Sequence, residues 1–175
     1  MIRISAVSYL NTFPFVYGLK NFPSLPEFTL SLDVPSECAR KLIEGEADIA
    51  LVPTGVIPLI PGAKMISGFC IGAKGPVTTV LLLSKVPVEQ ITSIHLDIDS
   101  RTSVELIRVL AREYWKISPE WIPIHKNERE LYQDFESVVA IGDKTFQLKK
   151  HFPYIYDLAE IWSLLTGLPM VFAVW

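Results

Sequence analysis

Phe28-Thr-Leu-Ser-Leu-Asp-Val34 alternates apolar and polar residues with a period of two and predicts a strand. Pro35-Ser36 follows at once. Ala39, Leu42 and Ile43 then share one helical face before Gly45, so a short helix is expected. Ala47-Asp-Ile-Ala-Leu-Val52 is a compact apolar run closed by Pro53, the pattern of a strand covered on both faces in a parallel sheet. Strand, helix and strand in this order form a βαβ unit with a right-handed crossover. The class is therefore α/β.

Upstream, Ile2–Val7 reads as a strand that runs into the polar segment Ser8-Tyr-Leu-Asn-Thr12. Downstream, Val77–Ser84 is a further strand behind the turn-rich Gly72-Ala-Lys-Gly-Pro76. A second alternating series follows: strand Ser93–Asp97, amphipathic helix Thr102–Trp115, strand Trp121–Ile124, helix Glu128–Phe135, strand Val138–Ile141 and helix Asp157–Leu165. Pro169–Trp175 closes the chain as an apolar strand. Two βα series joined by the strand around Thr78–Ser84 predict two α/β lobes with a central cleft. Lobe 1 is expected over residues 1–80, lobe 2 over 81–168, and residues 169–175 as a strand returning toward lobe 1. The final residues are apolar, with no cap or polar tail, whereas termini are normally exposed. A buried terminal strand is one explanation; a chain truncated relative to its natural gene product is the preferred one.

A length of 175 residues suits one domain or two small lobes sharing a hinge. Half the residues are hydrophobic, only 20% are charged, and the mean hydropathy is +0.33, which excludes a disordered chain. A formal net charge of −3 and a pI near 5.6 offer no general attraction to nucleic acid or to an anionic membrane. An anionic ligand would have to be met by a local positive potential. No apolar run reaches the roughly 18–20 residues of a membrane span, and no secretory signal opens the chain. Cys38 and Cys70 match no metal or redox spacing and are expected as free thiols of a cytoplasmic protein.

Nucleophile elbow, Walker A and dinucleotide signatures are absent, and His95, His125 and His151 lie in no ligand-like spacing. They read as surface or strand-edge residues, and no zinc site is expected. Asp99-Ser-Arg-Thr-Ser-Val-Glu105 is more informative. Thr102 and Glu105 have capping-box spacing and mark a helix start. Unpaired N–H groups, hydroxyls of Ser100 and Thr102, and the Arg101 fork converge there, as a carboxylate or phosphate requires. Ordinary capping with Arg101 in solvent is the alternative. Val34-Pro35-Ser36 opens a second helix behind a strand, with the same two readings. Ser8-Tyr-Leu-Asn-Thr12 follows the first strand, where ligands of open α/β sheets gather, and Phe13-Pro14-Phe15 adds an aromatic side. A polar turn satisfied by its own backbone is the competing reading. Gly72–Thr79 supplies Lys74, Thr78 and Thr79 at the inferred lobe junction, or a plain hinge. Asp143, after the strand ending at Ile141, is an N-cap or a cleft residue.

Taken together, Ser8-Tyr-Leu-Asn-Thr12 with Pro14, Val34-Pro-Ser36, Ala47–Pro53, Cys70-Ile-Gly-Ala-Lys-Gly-Pro-Val77, Asp99-Ser-Arg-Thr-Ser103 and Gly167–Trp175 resemble the chorismate dehydratase family of the futalosine route to menaquinone. The resemblance runs in order over essentially the whole chain, and its first motif is the most specific. It implies a two-lobe fold similar to periplasmic binding proteins (type II), used as a cytoplasmic carbon–oxygen lyase without metal or organic cofactor. It also implies loss of water from chorismate to give 3-[(1-carboxyvinyl)oxy]benzoate. Thr79 stands where the family usually has Ser, which keeps the hydroxyl and adds a methyl group. Family members also continue well past the final Trp. The sister family, 1,4-dihydroxy-6-naphthoate synthase, differs in the first motif and usually carries a His-containing segment near Ile141-Gly142-Asp143.

The resemblance implies Asn11 and Thr79 as catalytic residues, with Ser8, Tyr9 and Thr12 beside them. The helix start at Ser100, Arg101 and Thr102 is expected to hold one carboxylate of the substrate, and Ser36 to belong to the opposing lobe. Asp143 is one candidate base; the preferred base is the substrate's own side-chain carboxylate, oriented by Asn11 and Thr79. The expected partner is thus a small dicarboxylate, with no nucleic acid and no membrane. Three rivals remain: a solute-binding protein of the same fold that holds a small anion without chemistry, a sister enzyme like 1,4-dihydroxy-6-naphthoate synthase, and an inactive fragment.

Overall fold

A computed structural model describes residues 1–22, 26–97, 101–125 and 131–175. The chain divides into two compact units, residues 1–72 with 171–175, and residues 73–170.

In the first unit, β1 (Ile2–Val7) lies between β2 (Phe28–Asp33) and β3 (Ile49–Ala50), and both pairings are parallel. Helix α1 (Phe13–Asn21) follows β1 through a 3-10 turn at Leu10–Thr12. Helix α2 (Pro35–Ile43) links β2 to β3, and Gly45 leaves it with φ +70°, a left-handed conformation glycine adopts without a steric penalty. The expected βαβ unit is therefore present, with its crossover helix where Pro35 opens it.

The apolar run at 47–52 differs from the single strand expected. Ile49–Ala50 pairs with β1, and after the fully buried Leu51 the chain turns into β4 (Val52–Pro53), which pairs antiparallel with β11 (Met170–Val174). Burial was legible there; the change of partner was not, because β11 comes from the far end of the chain. Strand β5 (Cys70–Ala73) flanks β11 on its other side. Val7, Cys38, Ala39, Leu51, Val56 and Ala173 form the core of this unit.

The second unit is built on a five-stranded sheet of order β10-β6-β9-β7-β8. Its members are β6 (Val80–Ser84), β7 (Ser93–Leu96), β8 (Glu120–Pro123), β9 (Ser137–Ile141) and β10 (Tyr154–Asp157). β7 runs parallel to β8 and β9, and β6 runs antiparallel to β9 and β10. β6 and β9 are buried on both faces. Leu81, Leu83, Val138 and Ala140 meet Ile124, Tyr132 and Phe152 on one side. The alternation of the pleat sends Leu82 and Val139 to the other, which α3 (Arg101–Leu110) and α5 (Leu158–Thr166) cover. α3 runs on into a π-helical turn, Ala111–Trp115, so the amphipathic stretch read to Trp115 is helical to its end.

Several elements depart from expectation. The strand read at 77–84 begins only at Val80, because Thr78 has φ +61° and its N–H turns to a side-chain carboxylate. α1 was not foreseen: only Val16 of its residues is buried, so no apolar stripe advertises it. Of the helix expected over 128–135, residues 131–134 form a 3-10 turn and residues 128–130 lie outside the described residues. β10 and the short helix α4 (Thr145–Leu148) were also unread. His95 stacks on Phe135 with ring centroids 3.8 Å apart, and its Nδ1 lies 3.3 Å from the Ser137 carbonyl, a packing role. Cys38 is buried and Cys70 exposed, both as thiols.

One surface bracket sets the β1–β3 register. The Arg3 guanidinium and backbone N–H bond both oxygens of Asp48, at 2.7–3.1 Å, while the Asp48 N–H donates to the Arg3 carbonyl at 2.9 Å. These hydrogen bonds lower the Asp48 pKa from 3.8 to about 2. A carboxyl whose folded pKa is depressed stabilises the fold above its unfolded pKa and loses that contribution as pH falls through the folded value. Acid unfolding of the wild-type chain should therefore steepen between about pH 4 and pH 2. In Asp48→Asn this part of the acid limb should flatten, and the difference should shrink in high salt. Circular dichroism against pH at two ionic strengths measures both.

Candidate functional site

Parallel strands end together. In the first unit Val7 is in register with Asp33, so Ser8 and Val34 leave the sheet from the same edge, and the Ser8 N–H donates to the Asp33 carbonyl at 2.9 Å. The loop after β1 carries Ser8, Tyr9 and Asn11, all exposed, with Tyr9 at 46% and Leu10 at 87%. Thr12 is instead buried at the N-cap of α1. Pro14 sits in the first turn of that helix, where a missing N–H costs nothing. Ser36 is exposed in the first turn of α2, behind Pro35, and the N-cap Val34 has no side-chain oxygen to offer that turn. Ser8, Asn11 and Ser36 are thus carried by two loops at one sheet end.

Below this edge lies a polar knot that pattern reading missed. The Asp33 carboxylate accepts from Ser5 Oγ at 2.7 Å, Ser31 Oγ at 2.6 Å and Lys41 Nζ at 2.7 Å. Burial works to raise the Asp33 pKa, but the hydrogen bonds from Lys41, Ser31 and Ser5 together outweigh it and hold the group below its ordinary value. The same bond, opposed by partial burial, raises the Lys41 pKa. Burial also raises the pKa of the neighbouring Cys38 thiol, which makes it a poor nucleophile. The knot fixes the end of β2 against α2, and so the loop that carries Ser36.

The second unit repeats the arrangement. β7 and β9 are parallel, and β6 starts at the edge where they end. Three segments therefore meet there: the turn before β6 with Thr78 and Thr79, the start of α3 with Arg101 and Thr102, and the turn after β9 with Gly142 and Asp143. The Gly142 N–H donates to the Thr79 carbonyl at 2.8 Å, which joins the first and third directly. Thr79 is half-buried, and its hydroxyl donates to the Val77 carbonyl at 3.3 Å. Arg101 and Asp143 are exposed. Thr102 is buried inside the first turn of α3, which begins at Arg101, so it is a helical residue and not the cap expected; Glu105 pairs with Arg108 at 3.1 Å. Ser100, expected to share in this anion site, lies outside the described residues.

A charged pair braces the same edge. Lys144, next to Asp143, forms an ion pair with Asp97 and also bonds the Tyr132 hydroxyl at 3.0 Å. The Asp97 side chain is 2% exposed and that of Lys144 is 34% exposed. The pair connects the end of β7 to the turn after β9, 47 residues apart. No local pattern announces it. The edge as a whole offers a cation at Arg101 and a half-buried hydroxyl at Thr79, groups suited to an oxygen-rich anion, beside the Asp143 carboxylate, which would repel one. Among the described residues, no group of His, Cys, Asp and Glu is placed to hold a metal ion, and no helix is long and apolar enough to cross a membrane.

Comparison with known proteins adds family and fold. The model of a family described as menaquinone biosynthesis matches residues 2–175. A chorismate dehydratase of Thermus thermophilus is 27% identical over 185 aligned positions, which cover 95% of this chain. The chain spans 66% of that relative's length, just under two thirds. Protein AF1704 of Archaeoglobus fulgidus superposes with a TM-score of 0.72 at 12% identity, covering 99% of this chain and 66% of the other. The periplasmic aliphatic sulphonate-binding protein of Escherichia coli superposes with a TM-score of 0.57 at 13% identity, covering 99% and 64%. The fold is thus a mixed α/β fold of the solute-binding-protein type, as the motifs implied.

The Asp97–Lys144 pair predicts a stability phenotype. Lys144→Met removes the lysine cation from the buried Asp97 and should cost about 1–3 kcal/mol, less than a fully broken buried pair, because Asp97 keeps a further interaction and Lys144 is partly solvated. Adding Asp97→Asn should recover a large part of this loss. Urea midpoints of the three variants measure both effects.

Proposed function

Because the chain belongs to the menaquinone biosynthesis family, we propose that it carries out the reaction named in its Thermus thermophilus relative, the dehydration of chorismate. The observation that carries this reading is that family match, joined to the hydroxyl, amide and arginine groups at the sheet edges of both units.

Chorismate is a dicarboxylate. Elimination breaks the C–H bond at the ether-bearing ring carbon and the C–O bond at the neighbouring carbinol carbon. A double bond forms between the two carbons, the ring becomes aromatic, and water leaves. The product is 3-[(1-carboxyvinyl)oxy]benzoate. No electrons are gained or lost, so the balance calls for no oxidant or reductant. The departing proton is acidified by conjugation with the ring carboxylate, and negative charge grows on that carboxylate in the transition state. Fixed donors aimed there lower the barrier. Arg101, with Ser100, is assigned this role, and Ser36 is assigned to the other end of the substrate; the burial of Thr102 in the first turn of α3 suits it to holding the helix start more than to touching the ligand.

Ser8, Tyr9, Asn11, Thr12 and Thr79 are not bases near neutral pH. The substrate's side-chain carboxylate therefore takes the proton, while Asn11 and Thr79 orient it and Ser8, Tyr9 and Thr12 shape the surrounding wall. Asp143 is the alternative base. The buried position of Thr12 supports a part in holding the loop more than in touching the ligand. Aromatisation drives the reaction, so the protein's task is orientation and exclusion of water. A cytoplasmic lyase with no metal or organic cofactor fits this chemistry. The likeness to a sulphonate-binding protein supplies the rival reading, an anion binder without chemistry.

Ultraviolet spectra of the chain mixed with chorismate decide between them. The benzoate spectrum should replace that of the diene; chorismate recovered bound and unchanged would favour the binder. Asn11→Ala should lower kcat by about 100-fold or more with a much smaller change in KM, the size seen when one oriented donor is removed. An unchanged kcat would remove Asn11 from the assignment.

A further inference from the structure

Asp157 ends β10 and caps α5, but capping accounts for only half of its carboxylate. Oδ1 accepts from the N–H groups of Ala159 at 3.0 Å and Glu160 at 3.2 Å, an ordinary N-cap arrangement. Oδ2 is turned the other way and accepts from the N–H groups of Val77 at 2.8 Å and Thr78 at 2.6 Å, about 80 residues earlier in the chain. Four backbone donors from two elements thus converge on one buried side chain.

The segment held by Oδ2 is unusual. Thr78 adopts φ +61°, a left-handed conformation that a β-branched residue rarely takes, and Gly75 just before it has φ +95°. Such strain persists only where the surroundings over-determine it. Here the two N–H groups are fixed by Asp157, the Thr78 carbonyl accepts from Thr145 Oγ1 at 3.2 Å, and the Thr79 carbonyl accepts from the Gly142 N–H at 2.8 Å. The Thr79 hydroxyl bonds back to the carbonyl of Val77, one of the two residues Asp157 holds. The position of Thr79 Oγ1 is therefore set by the geometry of the turn, while its proton, held in a long 3.3 Å bond, is free to pass to an incoming acceptor.

We propose that Asp157 is a positioning residue for Thr79: one carboxylate oxygen anchors α5 and the other locks the Val77–Thr78 turn, so that the Thr79 hydroxyl is oriented before any ligand arrives. This rests on the reading of Thr79 as a residue that touches the substrate. It explains why a carboxylate stands where Ser or Asn would suffice as a cap: those residues offer one side-chain oxygen, and the turn needs a second.

Asp157→Asn keeps an oxygen for the cap and turns an NH2 group toward Val77 and Thr78; Asp157→Ser keeps the cap and presents nothing to the turn. In either variant, amide hydrogen exchange at Val77 and Thr78 should quicken at least tenfold, while Ala159 and Glu160 keep their protection. With chorismate, kcat should fall about tenfold or more with KM within threefold. In a Thr79→Ala background the same substitution should lower kcat no further. Unchanged exchange at Val77 and Thr78 in both variants would overturn the proposal, as would a kcat loss that multiplies undiminished with that of Thr79→Ala. If Thr79→Ala alone leaves kcat unaltered, the reading of Thr79 fails and any catalytic part for Asp157 falls with it. The exchange data, taken on the unliganded chain, still decide separately whether Asp157 holds the turn.

Discussion

Parallel pairing obliges each strand to return by a crossover, and so delivers successive loops to the same end of a sheet. Both units depend on this. β1 and β2 release Ser8–Thr12 and Val34–Ser36 at one edge, and β7 and β9 release the start of α3 and the Gly142–Asp143 turn at another. The antiparallel β6 begins where β9 ends, which brings Thr79 into the second group. Within each unit, polar groups from separate segments of the chain are brought to one sheet edge by strand direction.

Gathering the loops does not fix their conformation, and each unit uses a partly buried charged group for that. Asp33 ties the end of β2 to β1 and α2 through Ser5, Ser31 and Lys41. In the second unit Asp97 and Lys144 brace two strand ends, and Asp157 holds a helix and a strained turn at once. A buried carboxylate is costly unless its oxygens are fully engaged, which is why each of these groups has several partners. The same expense gives directionality: a misplaced loop would leave a charge unpaired. The polar knots therefore fix the direction of the loops they hold.

Local pattern was enough for the α/β class, the first βα unit, β1, β2, α2, β7, α3, β9, α5 and the closing strand. Period-two and period-3.6 burial, with Pro35 and Gly45 as start and stop, are local signals that survive without knowledge of partners. The sequence also displayed the ordered motifs that led to the family. Only the packing of the elements settled which strands pair, that the 47–52 run splits between two sheets, that α1 forms with little buried surface, and that Thr102 is buried. It alone brought Asp97 to Lys144, and Asp157 to Val77 and Thr78. The physical reason is range: periodicity reports the environment of each residue, whereas a hydrogen bond across 47 or 80 residues has no trace in the neighbours of either partner.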